Sequence, residues 1–231
     1  TWTPQNSDGK FTYESLKMRR AMGLSINSIS AKLMKQLGPS KIAEFAHKCG
    51  ITSPLNEVPS LCLGASEVSL LDQVTGYSTM ANGGEKTDPI LVLKITDKVG
   101  TVLREFSQIE KAAIKPETAY LMTYMLQGAV QEPGGTAEGL KRTSIVAGNE
   151  IGAKTGTTSN YSDGWFMGVT QKIVAGVWVG GDDRSSHFRS LALGQGAKMA
   201  MPVYAKFMER VYSDATLAIE GYRKMPFLKP D

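Results

Sequence analysis

The sequence predicts an α+β fold, an antiparallel sheet with helices packed on it, and three observations carry that prediction. Helix-period apolar spacing is concentrated in the first half of the chain. In the second half two apolar runs of strand length, Trp165 to Thr170 and Ile173 to Val179, flank a tight Gln171-Lys172 turn. A further strand pair, Ile90 to Thr96 and Thr101 to Phe106, surrounds Lys98-Val99-Gly100. With 231 residues, 42% of them hydrophobic, the chain can bury a core of one large domain. Residues 1–150 are therefore expected to be mainly helical, with a hairpin near 90–106. Residues 151–231 are expected to hold the sheet strands and a C-terminal helix.

Element by element, Thr12 can cap a helix running toward Met22, and a second helix covers Ser28 to Leu37 with Ile29 and Leu33 on one face. Gly38 stops that helix and Pro39 starts the next. There Ile42, Phe45, Ala46 and Cys49 fall at helical spacing and define a core stripe that ends at Gly50. Past a loop with Pro54 and Pro59, Ser69 is an N-cap. Leu70, Val74, Tyr77 and Ala81 then mark a helical face closed by Asn82-Gly83-Gly84. Pro116 opens a helix reaching about Val130, with Glu117 at its positive end, and Gly134-Gly135 break it. Pro202 opens the last helix, where Val203, Phe207 and Val211 recur one turn apart.

Composition excludes several functions. The net charge of +4 is spread along the chain, so no basic run points to nucleic acid. Cys49 and Cys62 lack paired spacing, and Cys49 sits at a helical core position, which reads as a buried free thiol. His47 and His187 are not spaced as ligands, and no metal or cofactor is expected. No stretch has the apolar length of a membrane span. Asp163 reads as a turn former, Asp182-Asp183 as a solvated turn, and Trp165 and Trp178 as packing between sheet and helices. Gly148 to Thr155 nearly spells a phosphate loop. That loop needs glycine where Ala153 stands and must open a helix, whereas polar turn formers and strands follow here.

Two short segments carry chemistry. Lys154-Thr155-Gly156 lies on a strand, and Ser25-Ile26-Asn27 lies at a break between two helices. Alone, the second reads as ordinary helix-end chemistry. Together they match two of the three elements of the Ser-x-x-Lys, Ser-x-Asn, Lys-Thr-Gly set of penicillin-reactive serine acyl-transferases. A serine attacking an amide must lose its proton, and the leaving amine must gain one. Ser25 can relay that proton, Asn27 can hold the substrate amide, and Lys154 with Thr155 can bind a carboxylate. Gly156 leaves the strand clear for an extended peptide, and the Thr157 N–H is placed to face a developing oxyanion.

The chain resembles the C-terminal part of the transpeptidase domain of class A penicillin-binding proteins. The likeness runs through Trp2-Thr3-Pro4-Gln5-Asn6-Ser7-Asp8-Gly9-Lys10-Phe11, Leu63 to Val68, Tyr77 to Gly84, Gly135-Thr136-Ala137, Lys154 to Thr158, Asp163 to Phe166 and Gly176 to Gly180. It implies a penicilloyl-serine transferase fold with helices on both faces of an antiparallel sheet. D-Ala-D-Ala stem peptides are the implied substrates and β-lactams the implied acylating inhibitors. Ser25 and Asn27 carry over as the second motif, and Lys154, Thr155 and Gly156 as the third, with Thr157 and Thr158 beside them at the substrate. The implied parent is anchored at the outer, periplasmic face of the cytoplasmic membrane and usually carries a glycosyltransferase domain upstream.

One departure limits this expectation. The nucleophile motif should precede Ser25 by several dozen residues, and the chain opens only 24 residues before it. Ser7-Asp8-Gly9-Lys10 fits Ser-x-x-Lys in letters, yet sits among turn formers where the chemistry needs a helix. The chain therefore reads as an excised piece, inactive alone, lacking the nucleophile helix and the sheet's first two strands. The sheet edge so left bare can recruit a second copy. A non-catalytic binding or assembly module, and a β-lactamase or penicillin sensor, are the competing readings.

Overall fold

The computed structural model describes residues 3–230, so Thr1 and Trp2 of the opening segment lie outside the described residues. Helices come first: α1 (Met18–Gly23), α2 (Asn27–Leu37), α3 (Pro39–Lys48) and, after a single turn at Pro59–Leu63, α4 (Leu70–Ala81). Four short strands follow, β1 (Glu85–Thr87), β2 (Lys94–Thr96), β3 (Val102–Glu105) and β4 (Glu110–Ala112). Then come α5 (Pro116–Leu126), α6 (Gly128–Gln131), β5 (Gly152–Thr157), β6 (Asp163–Val169) and β7 (Val174–Gly180). The chain finishes on α7 (Leu191–Gly194), α8 (Gly196–Met199), α9 (Met201–Ser213) and α10 (Ala215–Ile219).

The main sheet is β5-β6-β7, antiparallel throughout, with Lys154 opposite Met167 and Trp165 opposite Trp178. Its hairpin turns at Gln171-Lys172, where the Thr170 N–H donates to Ile173 O at 2.9 Å. Side chains alternate between two covered faces. Phe166 points back and stacks on Tyr204 of α9, with ring centroids 4.9 Å apart, both fully buried. Gly168 allows that approach, since a Cβ there would lie 2.2 Å from the Tyr204 ring. On the front face Val169 joins Leu126 of α5, Tyr77 and Met80 of α4, and Phe227 from the C-terminal tail. Helices thus cover both faces, as the sequence implies.

Several expectations are corrected. Residues 11–17 are not helical; Tyr13 has φ 57 and is almost wholly exposed, and α1 starts only at Met18. The core stripe of α3 is misassigned at Phe45, which is exposed, while Ala43 and Cys49 are buried. In α9 Val203 and Phe207 face out, whereas Tyr204, Ala205, Met208 and Val211 face in. The apolar arc of that helix, opposite Lys206, Glu209 and Arg210, is wider than the face it buries, so spacing alone does not pick out the residues that turn inward. In α4 the buried residues are Asp72, Thr75, Gly76 and Thr79. Asp72 is satisfied by Thr52 and Ser53, Thr79 by the Cys49 carbonyl and Thr75 by Leu71 O in its own helix, a polar seam that an apolar-face reading passes over.

Asp163 begins β6 instead of shaping a turn, and its Oδ1 accepts the Trp178 indole N–H at 3.0 Å. Trp178 itself stays exposed at the open end of the sheet. The hairpin near 90–106 forms, but its paired residues shrink to β2 and β3, and β1–β4 add a second ladder at its base. Ser69 caps α4 as expected, accepting from Asp72 N at 3.0 Å.

Candidate active site

Ser25 occupies the turn that ends α1. The Ile26 N–H donates to Ala21 O and the Ser25 N–H to Met22 O, both at 3.0 Å, the paired closing bonds of a Schellman motif. The position between them needs positive φ and usually carries glycine. Here it is Ser25, with φ 56. An L-residue held there costs about 1–2 kcal/mol. Such strain is tolerated where a side chain must be aimed. The hydroxyl is aimed at β5, accepting the Lys154 Nζ at 2.8 Å.

Lys154 sits on β5 facing α1 and α5, and its ammonium also donates to its neighbour's carbonyl, Thr155 O, at 2.8 Å. No carboxylate pairs with it among the described residues. Burial pushes its pKa down to about 8, close enough to neutrality for the amine to exchange a proton. Tyr77, the other titratable side chain lining this space, is raised by burial to about 12.

The rest of β5 follows from strand alternation. The Thr158 N–H donates to Asp163 O at 3.2 Å, toward β6. Backbone groups of Thr157 and Thr155 therefore point the opposite way, to the edge that no strand covers among the described residues. A Cβ on Gly156 would lie 3.0 Å from Trp165 Cβ, tighter than an ordinary contact, and glycine avoids that crowding on the strand surface. The Thr157 hydroxyl accepts from Gly196 N at 3.0 Å and ties the strand's end to α8. The Thr158 Oγ1 accepts from Ser162 N and Asp163 N at 3.1 and 2.9 Å, closing the loop to β6.

Asn27 opens α2 two residues past Ser25. Its amide donates to Gln5 O at 2.8 Å, and Asn6 Oδ1 accepts from the Ser28 N–H at 3.0 Å, capping α2 from outside. Its side-chain oxygen has no protein donor among the described residues and remains available to a ligand N–H. The lookalike Ser7-x-x-Lys10 is an exposed turn, closed by the Gly9 N–H on Asn6 O at 2.9 Å, and not a helix.

The sequence gives no warning of the groove beside this pair. About 210 Å³ of open space is lined by Met18, Met22, Ile26, Ile29 and Leu33 on one side, with Tyr77, Met80 and Met122 across it and Ser25 and Lys154 at its head. Ile29 and Leu33 were readable as an apolar stripe, but not as the wall of an open groove. Among the described residues no cluster of three His, Cys, Asp or Glu side chains could hold a metal ion.

This arrangement, a lysine on a bare strand edge meeting a serine from a helix-end turn, defines a class of fold. The structure superposes on penicillin-binding protein 1A from Haemophilus influenzae with a TM-score of 0.82, at 25% identity over 93% of this chain and 37% of that one. PonA1 from Mycobacterium tuberculosis, solved in complex with penicillin V, gives 0.80 over 98% of this chain and 62% of that one; at 23% identity it speaks for the fold. The sequence model of the penicillin binding protein transpeptidase domain matches residues 1–209. The chain belongs to that family. It is 35% identical to penicillin-binding protein 1A of Aquifex aeolicus over 91% of its length, and 32% identical to that of Neisseria flavescens over all of it. It spans 27% and 28% of those two relatives.

Proposed function

We propose that this chain forms the proton-relay and substrate-binding half of a D,D-transpeptidase active site, which cross-links D-Ala-D-Ala stem peptides and is acylated by β-lactams. The observation that carries the reading is the contact between Ser25 Oγ and Lys154 Nζ at the head of the groove, beside the uncovered edge of β5. Because Ser25 accepts from Lys154, its own proton is free to point at a substrate nitrogen. In acylation the nucleophilic oxygen loses its proton to a base on its own segment and bonds to the carbonyl carbon, the C–N bond breaks, and Ser25 delivers a proton to the departing amine. Lys154, tuned to about 8, replaces that proton. The acceptor amine then attacks the acyl-enzyme and gives its proton back to Ser25 and Lys154, the C–O bond breaks, and the released serine oxygen recovers its proton from its own base.

The peptide lies along the β5 edge as an added strand, with Gly156 beneath it and the Thr157 N–H toward the oxyanion. Thr155 and Lys154 hold the terminal carboxylate, and Asn27 Oδ1 takes the substrate amide N–H. The attacking serine comes from sequence outside these residues, on a helix whose apolar face fills the groove. Membrane anchoring at the periplasmic face and an upstream glycosyltransferase domain belong to the same reading of the parent protein, and self-association through a bare sheet edge to this chain.

A fluorescent penicillin tests it. The 231-residue chain alone should carry no covalent label after denaturing electrophoresis. A longer protein with the upstream segment should label, and Lys154→Ala in it should reduce labelling at least 100-fold. Labelling of the chain alone that Ser7→Ala abolishes would overturn the assignment. Reversible binding without acylation by the longer protein would favour a binding module, and rapid release of the label a β-lactamase.

A further inference from the structure

Ser25 and Lys154 stand on elements that share no ladder, so something must fix the gap between them. β5 packs on α5 and α6: a Cβ on Gly152 would lie 2.9 Å from Leu126 Cβ, and Ala129 and Val130 share a buried cluster with Ala153. On the other side of that layer α1 meets α6 backbone to backbone. A Cβ on Gly23 would lie 2.6 Å from the Gly128 carbonyl, and one on Gly128 2.6 Å from Arg19 O. The Thr136 N–H donates to Gly23 O at 3.0 Å, holding the last turn of α1 just before Ser25.

One side chain locks this contact. The Arg19 guanidinium donates to Tyr124 O at 3.1 Å, to Gln131 Oε1 and to Glu132 Oε1, and lies 4.7 Å from the Tyr124 ring centroid. Its side chain and that of Glu132 are 17% and 21% exposed, so water screens this pairing less than a surface ion pair. Arg20, the adjacent cation, makes only long contacts, to Glu132 Oε2 and to Pro133 O, both at 3.5 Å. A planar fork that satisfies three acceptors and stacks on a ring fixes α1 in rotation and translation together, which an ammonium cannot do.

We propose that Arg19 is a positioning residue, holding α1 on the Gly23–Gly128 contact so that the Ser25 hydroxyl meets Lys154. Its catalytic consequence rests on the transpeptidase reading; its geometry does not. Freed of the fork, α1 pivots away from α6, Ser25 leaves Lys154, and water reaches the ammonium.

The titration of Lys154 reads this directly in the 231-residue chain, by NMR of carbon-labelled lysine side chains, assigned with Lys154→Arg. Tyr77 is the other titratable group lining the groove. In the wild type Lys154 should titrate near 8, and in Arg19→Met it should rise toward the free value of 10.5. Arg19→Lys, which keeps the charge without the fork, should fold and move Lys154 the same way. Met208→Ala, an equally disruptive change in α9 behind the sheet, should lower the melting temperature and leave Lys154 near 8. The proposal is overturned if Lys154 stays near 8 in both Arg19 variants, or if Met208→Ala moves it as far. A wild-type Lys154 that already titrates near 10.5 overturns it too. Penicillin labelling of the longer protein decides the transpeptidase reading separately, since the titration requires no substrate.

Discussion

Two hairpins that the sequence marks by apolar runs around a tight turn differ completely in surroundings. One pairs β6 with β7 around Gln171-Lys172, the other β2 with β3 around Lys98-Val99-Gly100. In the first, Phe166 and Val169 are fully buried between helices. In the second, Leu91, Leu93, Val99 and Leu103 are 91%, 70%, 87% and 66% exposed. Glycine marks the difference. Gly164 and Gly168 of β6 stand where Met199 and Tyr204 press on the sheet, while Gly100 has open space around it. A glycine facing a large ring signals a close-packed layer; a glycine at a ribbon tip signals a turn.

Mutations should separate the two hairpins sharply. Phe166→Ala removes a ring stacked on Tyr204 and should cost about 3–5 kcal/mol in a denaturant titration; a loss below about 1 kcal/mol would erase the contrast. Lys154 should show a smaller effect with a defined sign. Its folded pKa, about 8, lies below the unfolded value of 10.5, so between them the unfolded chain binds more protons and stability rises with pH. The rise should reach about 1–2 kcal/mol, allowing for partial exposure, and Lys154→Met should flatten it. Cys49 and Cys62 above about pH 9, and Tyr77 above about pH 10, all raised by burial, oppose the trend, so the difference in melting temperature between wild type and Lys154→Met is the decisive reading. Leu93→Ser, on the exposed ribbon, should fall within about 0.5 kcal/mol of wild type. A much larger loss would mean that the ribbon is covered in solution.

How far the site was legible follows the same division. Lys154-Thr155-Gly156 could be placed on a strand because alternation and neighbouring apolar runs are local, and the β5 register bears that out. Ser25 could be placed at a helix break, yet nothing in its neighbours shows that it holds a left-handed turn. Asn27 was read as holding a substrate amide; its own NH2 reaches back to Gln5, a contact across 22 positions that no local pattern encodes, and only its oxygen is left for a ligand. Thr158 was read as touching substrate, while its hydroxyl closes a loop. Arg19 drew no notice, because its partners lie more than 100 positions away and a lone arginine in a helix carries no spacing signal.

By itself the sequence determined the α+β class, the antiparallel hairpins, the cap at Ser69 and the two motifs, because helix period, strand alternation and capping act over a few residues. Tertiary structure decided which face of α9 turns inward, which hairpin is sealed, and that Ser25 and Lys154 meet at 2.8 Å. Those outcomes depend on distant backbones fitting together, at Gly23 against Gly128 and Gly168 against Tyr204. Close packing is a property of pairs of surfaces, and a linear pattern specifies only one surface at a time.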